Sequence, residues 1–225
     1  MQKIRTTRPD GIDTVLFDLD GTIINSEEGI TNCLRYVIDY WGMEQPPQEK
    51  LLCFIGPPLR EQFHNVFGFD AEKTEASVRK YRERYDTVGQ YECEVYPGVK
   101  ELIHHLKQAG YRIALASSKP QPACARILAH FDLDREFDGI FGSTIDGRIS
   151  TKQQVLEEVF EKMQVEPAKT ILVGDTRFDV DGANRAHIPC IGVTYGFGDA
   201  QELIKAGAIC ICDTAKEVGE YLENT

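Results

Sequence analysis

Thr14-Val15-Leu16-Phe17-Asp18-Leu19-Asp20-Gly21-Thr22 decides how the other residues of this 225-residue chain are read. Val15-Leu16-Phe17 is short, holds a β-branched residue and an aromatic, and stops at a turn signal, so it reads as a buried strand. The residues after it then stand at the carboxyl end of that strand, where open α/β sheets hold their ligands. Two carboxylates, Asp18 and Asp20, fall there one residue apart. Like charges this close either raise one pKa strongly or call for a cation between them. Mg2+ is the usual cation for an all-oxygen site that handles phosphate. Gly21 permits a tight turn and can bring a bare N–H to an anion. A strand followed by an acidic turn is the plain alternative.

Downstream of residue 97 the pattern alternates. Helices are expected at 97–109, 122–131, 151–163, 179–187, 199–206 and 214–222, and strands at 111–116, 139–141, 170–173, 190–193 and 209–211. That alternation predicts a parallel sheet covered on both faces. Pro97 is placed at the first position of its helix. Residues 26–94 show helical periodicity only, with Ser26 as N-cap of a helix whose stripe is Ile30, Cys33, Leu34, Val37, Ile38 and Trp41. Such a block is too long for an ordinary crossover. The expectation is an α/β core of residues 1–25 and 95–225, interrupted by an all-helical cap at 26–94, with hinges near 22–25 and 92–97.

Composition excludes other classes. A net charge of −11 leaves no basic surplus for a nucleic-acid polymer or an anionic membrane. No stretch is long and apolar enough to span a bilayer, and residues 1–9 lack the apolar core of a secretion signal. The seven cysteines are odd in number, scattered and without a CxxC pair, which points to reduced thiols and a cytoplasmic protein. Cys210 and Cys212 alternate on one strand face as packing residues. The acidic, ordinary surface composition suits a monomer or a weak homodimer.

If the sheet is parallel, the residues after each strand meet along one edge. The first strand brings Asp18 and Asp20, the strand at 111–116 brings Ser117-Ser118-Lys119, and the strand at 170–173 brings Gly174-Asp175-Thr176 with Asp179 a turn later. Ser150-Thr151-Lys152 stands at the start of a helix. Asp18, Asp20 and Asp175 can bind Mg2+ through carboxylate or carbonyl oxygens. Ser117 can donate to a phosphate oxygen, and Lys152 can neutralise charge and keep a nucleophile ionised. Phosphoryl transfer asks mainly for positioning and charge neutralisation, which this set supplies. Asp18 suits the attacking carboxylate, and Asp20 the group that protonates the leaving oxygen and then deprotonates water. Of Asp175 and Asp179, one can bind metal while the other orients it.

Asp18-Leu19-Asp20-Gly21-Thr22, Ser117, Lys152 and Gly174-Asp175-Thr176-Arg177-Phe178-Asp179 together resemble the four ordered motifs of the haloacid dehalogenase (HAD) superfamily, over essentially the whole chain. The resemblance implies a Rossmann-like parallel core, a type C1 cap, Mg2+ dependence and an aspartyl-phosphate intermediate. It implies Asp18 as nucleophile, Asp20 as acid/base, Ser117 as phosphate ligand, Lys152 as charge balancer and Asp175 as metal ligand. Gly21, Thr22 and Ser118 join these as expected substrate-binding residues. Phe54-Ile55-Gly56-Pro57-Pro58-Leu59, Val95-Tyr96-Pro97-Gly98 and Val193-Thr194-Tyr195-Gly196-Phe197-Gly198 are similar to the phosphoglycolate-phosphatase-like branch, including bacterial members labelled 5′-nucleotidases. The implied substrate is a small phosphorylated metabolite, of phosphoglycolate or nucleoside monophosphate type. Asp20 favours phosphoryl chemistry over dehalogenation, and Thr22 stands where β-phosphoglucomutase-like members usually carry a bulkier apolar residue. Gly56-Pro57-Pro58 is expected to aim Arg60 at the leaving group. Tyr195-Gly-Phe-Gly follows a strand and is a candidate for the border of the cleft, but reads first as a structural turn. A phosphomutase and a non-catalytic phosphoaspartate switch are the alternatives.

Overall fold

A computed structural model describes residues 4–223. The chain forms two compact units, one from residues up to Ile24 together with Val95 onward, the other from Asn25–Glu94. In chain order the elements are β1 (Thr14–Phe17), β2 (Ile24–Asn25), α1 (Glu27–Tyr40), α2 (Gln48–Leu52), α3 (Leu59–Phe67), α4 (Ala71–Tyr85), β3 (Glu94–Val95) and α5 (Val99–Gln108). There follow β4 (Arg112–Pro120), α6 (Gln121–His130), β5 (Gly139–Ser143), α7 (Lys152–Met163), β6 (Thr170–Gly174), α8 (Arg177–Arg185), β7 (Cys190–Val193), α9 (Ala200–Ala206), β8 (Cys210–Cys212) and α10 (Ala215–Glu223).

Six parallel strands run in the order β5-β4-β1-β6-β7-β8. Every residue of β1 and β6 is buried, as strands covered on both faces require. Leu16 lies between Ala114 and Leu172 in register, and this row packs against Val155, Leu156 and Val159 of α7 and Val180 and Ala183 of α8. The chain builds from β1 out to β5, then returns and builds the other way from β6 to β8. The reversal flanks β1, so the crevice of the doubly wound sheet opens where Asp18 leaves the strand. The β8 edge is not bare. Thr6 N–H donates to Ile209 O and Ile211 N–H to Ile4 O, each at 3.0 Å, which pairs the start of the described chain with β8.

Four local expectations change. β4 continues to Pro120, so Ser117, Ser118 and Lys119 lie inside its end and do not follow it. A register shift after Ser117 bulges the strand, and Gly142 makes room for it, since a Cβ there would lie 2.5 Å from Lys119 O. Pro97 does not open α5. Pro97-Gly98 are the corner of a type II turn, with Gly98 at φ 79°, ψ −4° and Val99 N–H donating to Tyr96 O at 3.2 Å. Ser26 sits at the N-cap of α1 without a capping bond from its side chain, and Asn25 Oδ1 accepts the Glu27 N–H at 3.1 Å instead. β2 and β3, two residues each, are too short to show periodicity, and they pair as a separate ribbon.

In the helical unit α1 buries Ile30, Cys33, Leu34, Val37 and Ile38, and α4 buries Val78, Tyr81 and Tyr85. Trp41 Nε1 donates to buried Ser77 Oγ at 2.9 Å. Phe54, Phe63, Phe67 and Phe69 form one aromatic cluster with centroids 5.3–6.4 Å apart. Gly29 packs directly on Gly89, where a Cβ would meet the Gly89 carbonyl oxygen at 2.0 Å.

Candidate active site

Asp18 is held by its own backbone. Its N–H donates to Val173 O at 3.0 Å, continuing the β1–β6 ladder by one residue. β6 ends on Gly174, so Asp175 emerges on the same sheet edge as Asp18. Asp179 is the third residue of α8 and forms a capping box with Thr176, its Oδ2 accepting from Thr176 N–H at 3.0 Å and from Thr176 Oγ1 at 2.9 Å. The other oxygen is left for Lys152. Lys152 opens α7 behind a second capping box, Thr151 with Gln154. Its ammonium lies 2.7 Å from Asp18 Oδ1 and 2.8 Å from Asp179 Oδ1, and donates to Ala116 O at 2.7 Å. A Cβ at Gly182 would lie 2.5 Å from Lys152 Cγ, so this helical glycine gives the lysine its path.

Asp175 is completely buried. Its Oδ2 accepts the Phe197 N–H at 2.8 Å, and Thr22 Oγ1 lies 3.4 Å from its Oδ1. Gly21, Gly196 and Gly198 press bare backbone against it. Cβ atoms at those three positions would fall 2.0, 2.5 and 1.9 Å from Asp175 atoms.

Asp20 is held apart from the other acids. Lys119 Nζ donates to both of its carboxylate oxygens at 2.7 Å. The acidic side chains within 4.8 Å of one another are those of Asp18, Asp175 and Asp179, so of the two kinds of oxygen expected of Asp20 at the metal, carboxylate or carbonyl, the carboxylate is not in that group. The Asp20 carboxylate is occupied by Lys119, which leaves its main-chain carbonyl as the atom it can offer a cation. Gly21 also differs from expectation. Its N–H is already given to Ile24 O at 2.8 Å, and its part is to admit Asp175. The Thr22 side chain is fully buried and turned to Asp175. Ser117 is buried at the end of β4, where its Oγ accepts the Lys119 N–H at 3.3 Å, and Ser118 beside it is half-buried. In the helical unit Arg60 forms a two-pronged pair with Glu75, at 2.5 and 3.2 Å.

Electrostatically the site is incomplete as a set of side chains. Burial raises the Asp18 carboxyl to about 6, with Lys152 opposing and Asp179 reinforcing the rise. Burial, then Asp179 and Asp18, hold Asp175 well above the ordinary carboxylate range. Burial alone would lower the Lys152 ammonium, but Asp179 and Asp18 outweigh it and raise it. Three buried carboxylates face one ammonium, which leaves two formal negative charges over. An all-oxygen donor set with that excess fits a hard divalent cation.

Sequence reading missed three features: the Lys119–Asp20 pair, the bond by which the Tyr195–Gly198 loop holds Asp175, and Gly182 under Lys152. Only the last left a local signal, because a glycine inside a helix costs about 1 kcal/mol and asks for a reason.

A model of the haloacid dehalogenase-like hydrolase family matches residues 15–193. The 5′-nucleotidase of Pseudomonas aeruginosa is 37% identical over 189 residues, 84% of this chain and 86% of that protein. The tyrosine-protein kinase PtkA of Mycobacterium tuberculosis is 32% identical over 201 residues, 89% of this chain and 68% of that one. The crystal structure of a predicted phosphatase from Clostridium acetobutylicum superposes with a TM-score of 0.90 at 37% identity, covering 94% of this chain and 98% of that chain. With the matched region running from the strand that carries Asp18 to the end of β7, this chain belongs to the haloacid dehalogenase-like hydrolase family.

Proposed function

We propose that this HAD phosphatase hydrolyses a small phosphate monoester with Mg2+, carrying the phosphoryl group on Asp18. One observation supports this above the others: Asp18 is a buried carboxylate fixed by the Lys152 ammonium at 2.7 Å, within a group of three acids. Asp18 and Asp175, with the Asp20 carbonyl, would hold Mg2+. Asp179 has both oxygens engaged, by Lys152 and by Thr176, and serves to orient Lys152. Bound there, Mg2+ supplies positive charge against the phosphate oxygens.

The protein's own groups do the rest. An Asp18 oxygen attacks phosphorus while the bond to the leaving oxygen breaks, and Asp20 gives that oxygen its proton. Asp20 then takes a proton from water as the water oxygen attacks phosphorus, which frees phosphate and restores the Asp18 carboxylate. To carry the proton, Asp20 must loosen one of its two bonds to Lys119. Ser117 is placed to donate to a phosphate oxygen, and Lys152 holds Asp18 ionised for attack.

Nucleoside 5′-monophosphates head the substrate panel, because the P. aeruginosa relative carries the name 5′-nucleotidase. Phosphate release is measured over that panel and phosphoglycolate, with Mg2+ and with chelator. Asp18→Asn is expected to abolish release and leave the circular dichroism spectrum unchanged; retained turnover would exclude the covalent route. The PtkA relative supports a second reading, in which a tyrosine hydroxyl takes the phosphoryl group in place of water. Phosphotyrosine formed in stoichiometric excess over free phosphate would favour it.

A further inference from the structure

We infer that the Tyr195–Gly198 loop is a positioning element that limits Asp175 to one ligating oxygen and so favours Mg2+ over Ca2+. The inference rests on the proposal that Asp175 holds the cation. Three observations carry it. The loop's backbone bonds the carboxylate directly, through Phe197 N–H to Oδ2 at 2.8 Å. Its glycines enclose the same residue, since a Cβ at Gly196 would lie 2.5 Å from Asp175 Oδ2 and 2.2 Å from Gly21 O, and one at Gly198 would lie 1.9 Å from Asp175 O. The loop is tied to the turn after β1 as well: Tyr195 O–H donates to Thr22 O at 3.1 Å, while Thr22 Oγ1 lies 3.4 Å from Asp175 Oδ1.

Tyr195 is itself braced, its ring 5.0 Å from that of Tyr96, and the root of the loop is pinned by Thr194 Oγ1 donating to Asp213 Oδ1 at 2.6 Å. With Oδ2 held at 2.8 Å by Phe197 N–H and walled by backbone, and only the long 3.4 Å contact of Thr22 on Oδ1, the carboxylate presents Oδ1 and cannot swing to chelate with both oxygens. Mg2+ demands near-ideal octahedral geometry and short single-oxygen bonds. Ca2+ takes six to eight ligands at longer range and readily uses bidentate carboxylates. Fixing Asp175 therefore penalises the larger ion more than the smaller one. Groups that orient a metal-ligating carboxylate commonly change affinity by about 10–100-fold when altered.

The test measures Mg2+ and Ca2+ binding by calorimetry on the full chain, with metal-free thermal unfolding as the fold control. The variants are Asp175→Asn, Gly196→Ala and Tyr195→Phe. Gly196→Ala is expected to weaken Mg2+ binding by about tenfold or more and Ca2+ binding by less, so that the Mg2+/Ca2+ preference falls. Tyr195→Phe removes only the tie to Thr22 and is expected to move the preference the same way by a factor of about 3. A folded Gly196→Ala with the wild-type preference overturns the inference. If Gly196→Ala does not fold, Tyr195→Phe decides, and a preference within about twofold of wild type overturns it. Asp175→Asn separates the two levels: undiminished Mg2+ binding in that variant would remove the metal-ligand reading itself and the inference with it.

Discussion

Replacing Lys152 with Met removes one charge and keeps an unbranched stem along Gly182. In the native protein the ammonium has three partners, Asp18 and Asp179 at 2.7 and 2.8 Å and the Ala116 carbonyl at 2.7 Å. The side chains are 5% exposed at Lys152, 1% at Asp179 and 11% at Asp18. Without the ammonium, its two carboxylate partners Asp18 and Asp179 lose their counter-charge, with the Asp175 carboxylate beside them. Breaking a buried ion pair from one side costs roughly 3–5 kcal/mol. The lower end is expected here, because Asp18 keeps some contact with water and its carboxyl, already raised to about 6, can neutralise itself by taking a proton. About 3 kcal/mol lowers the melting temperature of a protein this size by roughly 6–12 °C. The measurement is urea and thermal unfolding in chelator, followed by far-ultraviolet circular dichroism. Trp41, the sole tryptophan, lies in the helical unit and reports that unit separately by fluorescence. Adding Asp179→Asn to Lys152→Met should recover about 1–2 kcal/mol, since it removes one of the stranded charges. A loss under about 1 kcal/mol, or no recovery in the double variant, would refute the view that Lys152 holds these acids together.

Asp18 also sets a pH dependence. Its folded pKa lies above the ordinary aspartate value, so its contribution to stability is complete below about 4 and is lost as pH rises through about 6. In chelator the wild type should therefore lose stability relative to Asp18→Asn across that window, and Mg2+ should reduce the difference; parallel curves would contradict it. Gly29→Ala would drive a methyl group into the Gly89 carbonyl, 2.0 Å away, and should destabilise the helical unit by about 1–3 kcal/mol in urea unfolding read by Trp41 fluorescence. Burial pushes the Cys124 thiol up to about 12, so alkylation followed by mass spectrometry should label exposed Cys53 in the native protein and Cys124 only after unfolding.

Much of the site was legible because it stands on element ends. Val15-Leu16-Phe17 could be read as a buried strand from its composition, and the parallel order then carried Asp18 and Asp175 to one edge. Lys152 could be placed because Ser150-Thr151-Lys152 stands at the start of a periodic helical segment, and α7 does begin at Lys152. What stayed hidden depends on contacts between distant residues. Lys119 reaches Asp20 because β4 runs on and bulges past Ser117, a path set by Gly142 and invisible in Ser117-Ser118-Lys119 itself. Tyr195 meets the Thr22 carbonyl 173 residues away, so nothing local could show that its loop is tied to the turn after β1. Asp175 and Asp179 look equivalent in the sequence. Their contacts set them apart: the capping box and Lys152 take both oxygens of Asp179, while Phe197 N–H takes Oδ2 of Asp175.

The glycines around the charges explain why the arrangement is so exacting. A buried charge is stabilised by opposite charges and peptide dipoles at contact distance, and that interaction weakens as the separation grows. At Gly21, Gly174, Gly182 and Gly196 a Cβ would fall 2.0–2.5 Å from atoms of Asp175, Asp179 or Lys152. An alanine at any of them would have to push a charged side chain or its backbone support aside by about an ångström, and a misplacement of that size can cost about a hundredfold in rate. The polar residues name the chemistry, but these apparently featureless positions set the distances at which it works. Substitution of a glycine beside this site should therefore disturb it more than removal of a half-buried hydroxyl such as Ser118.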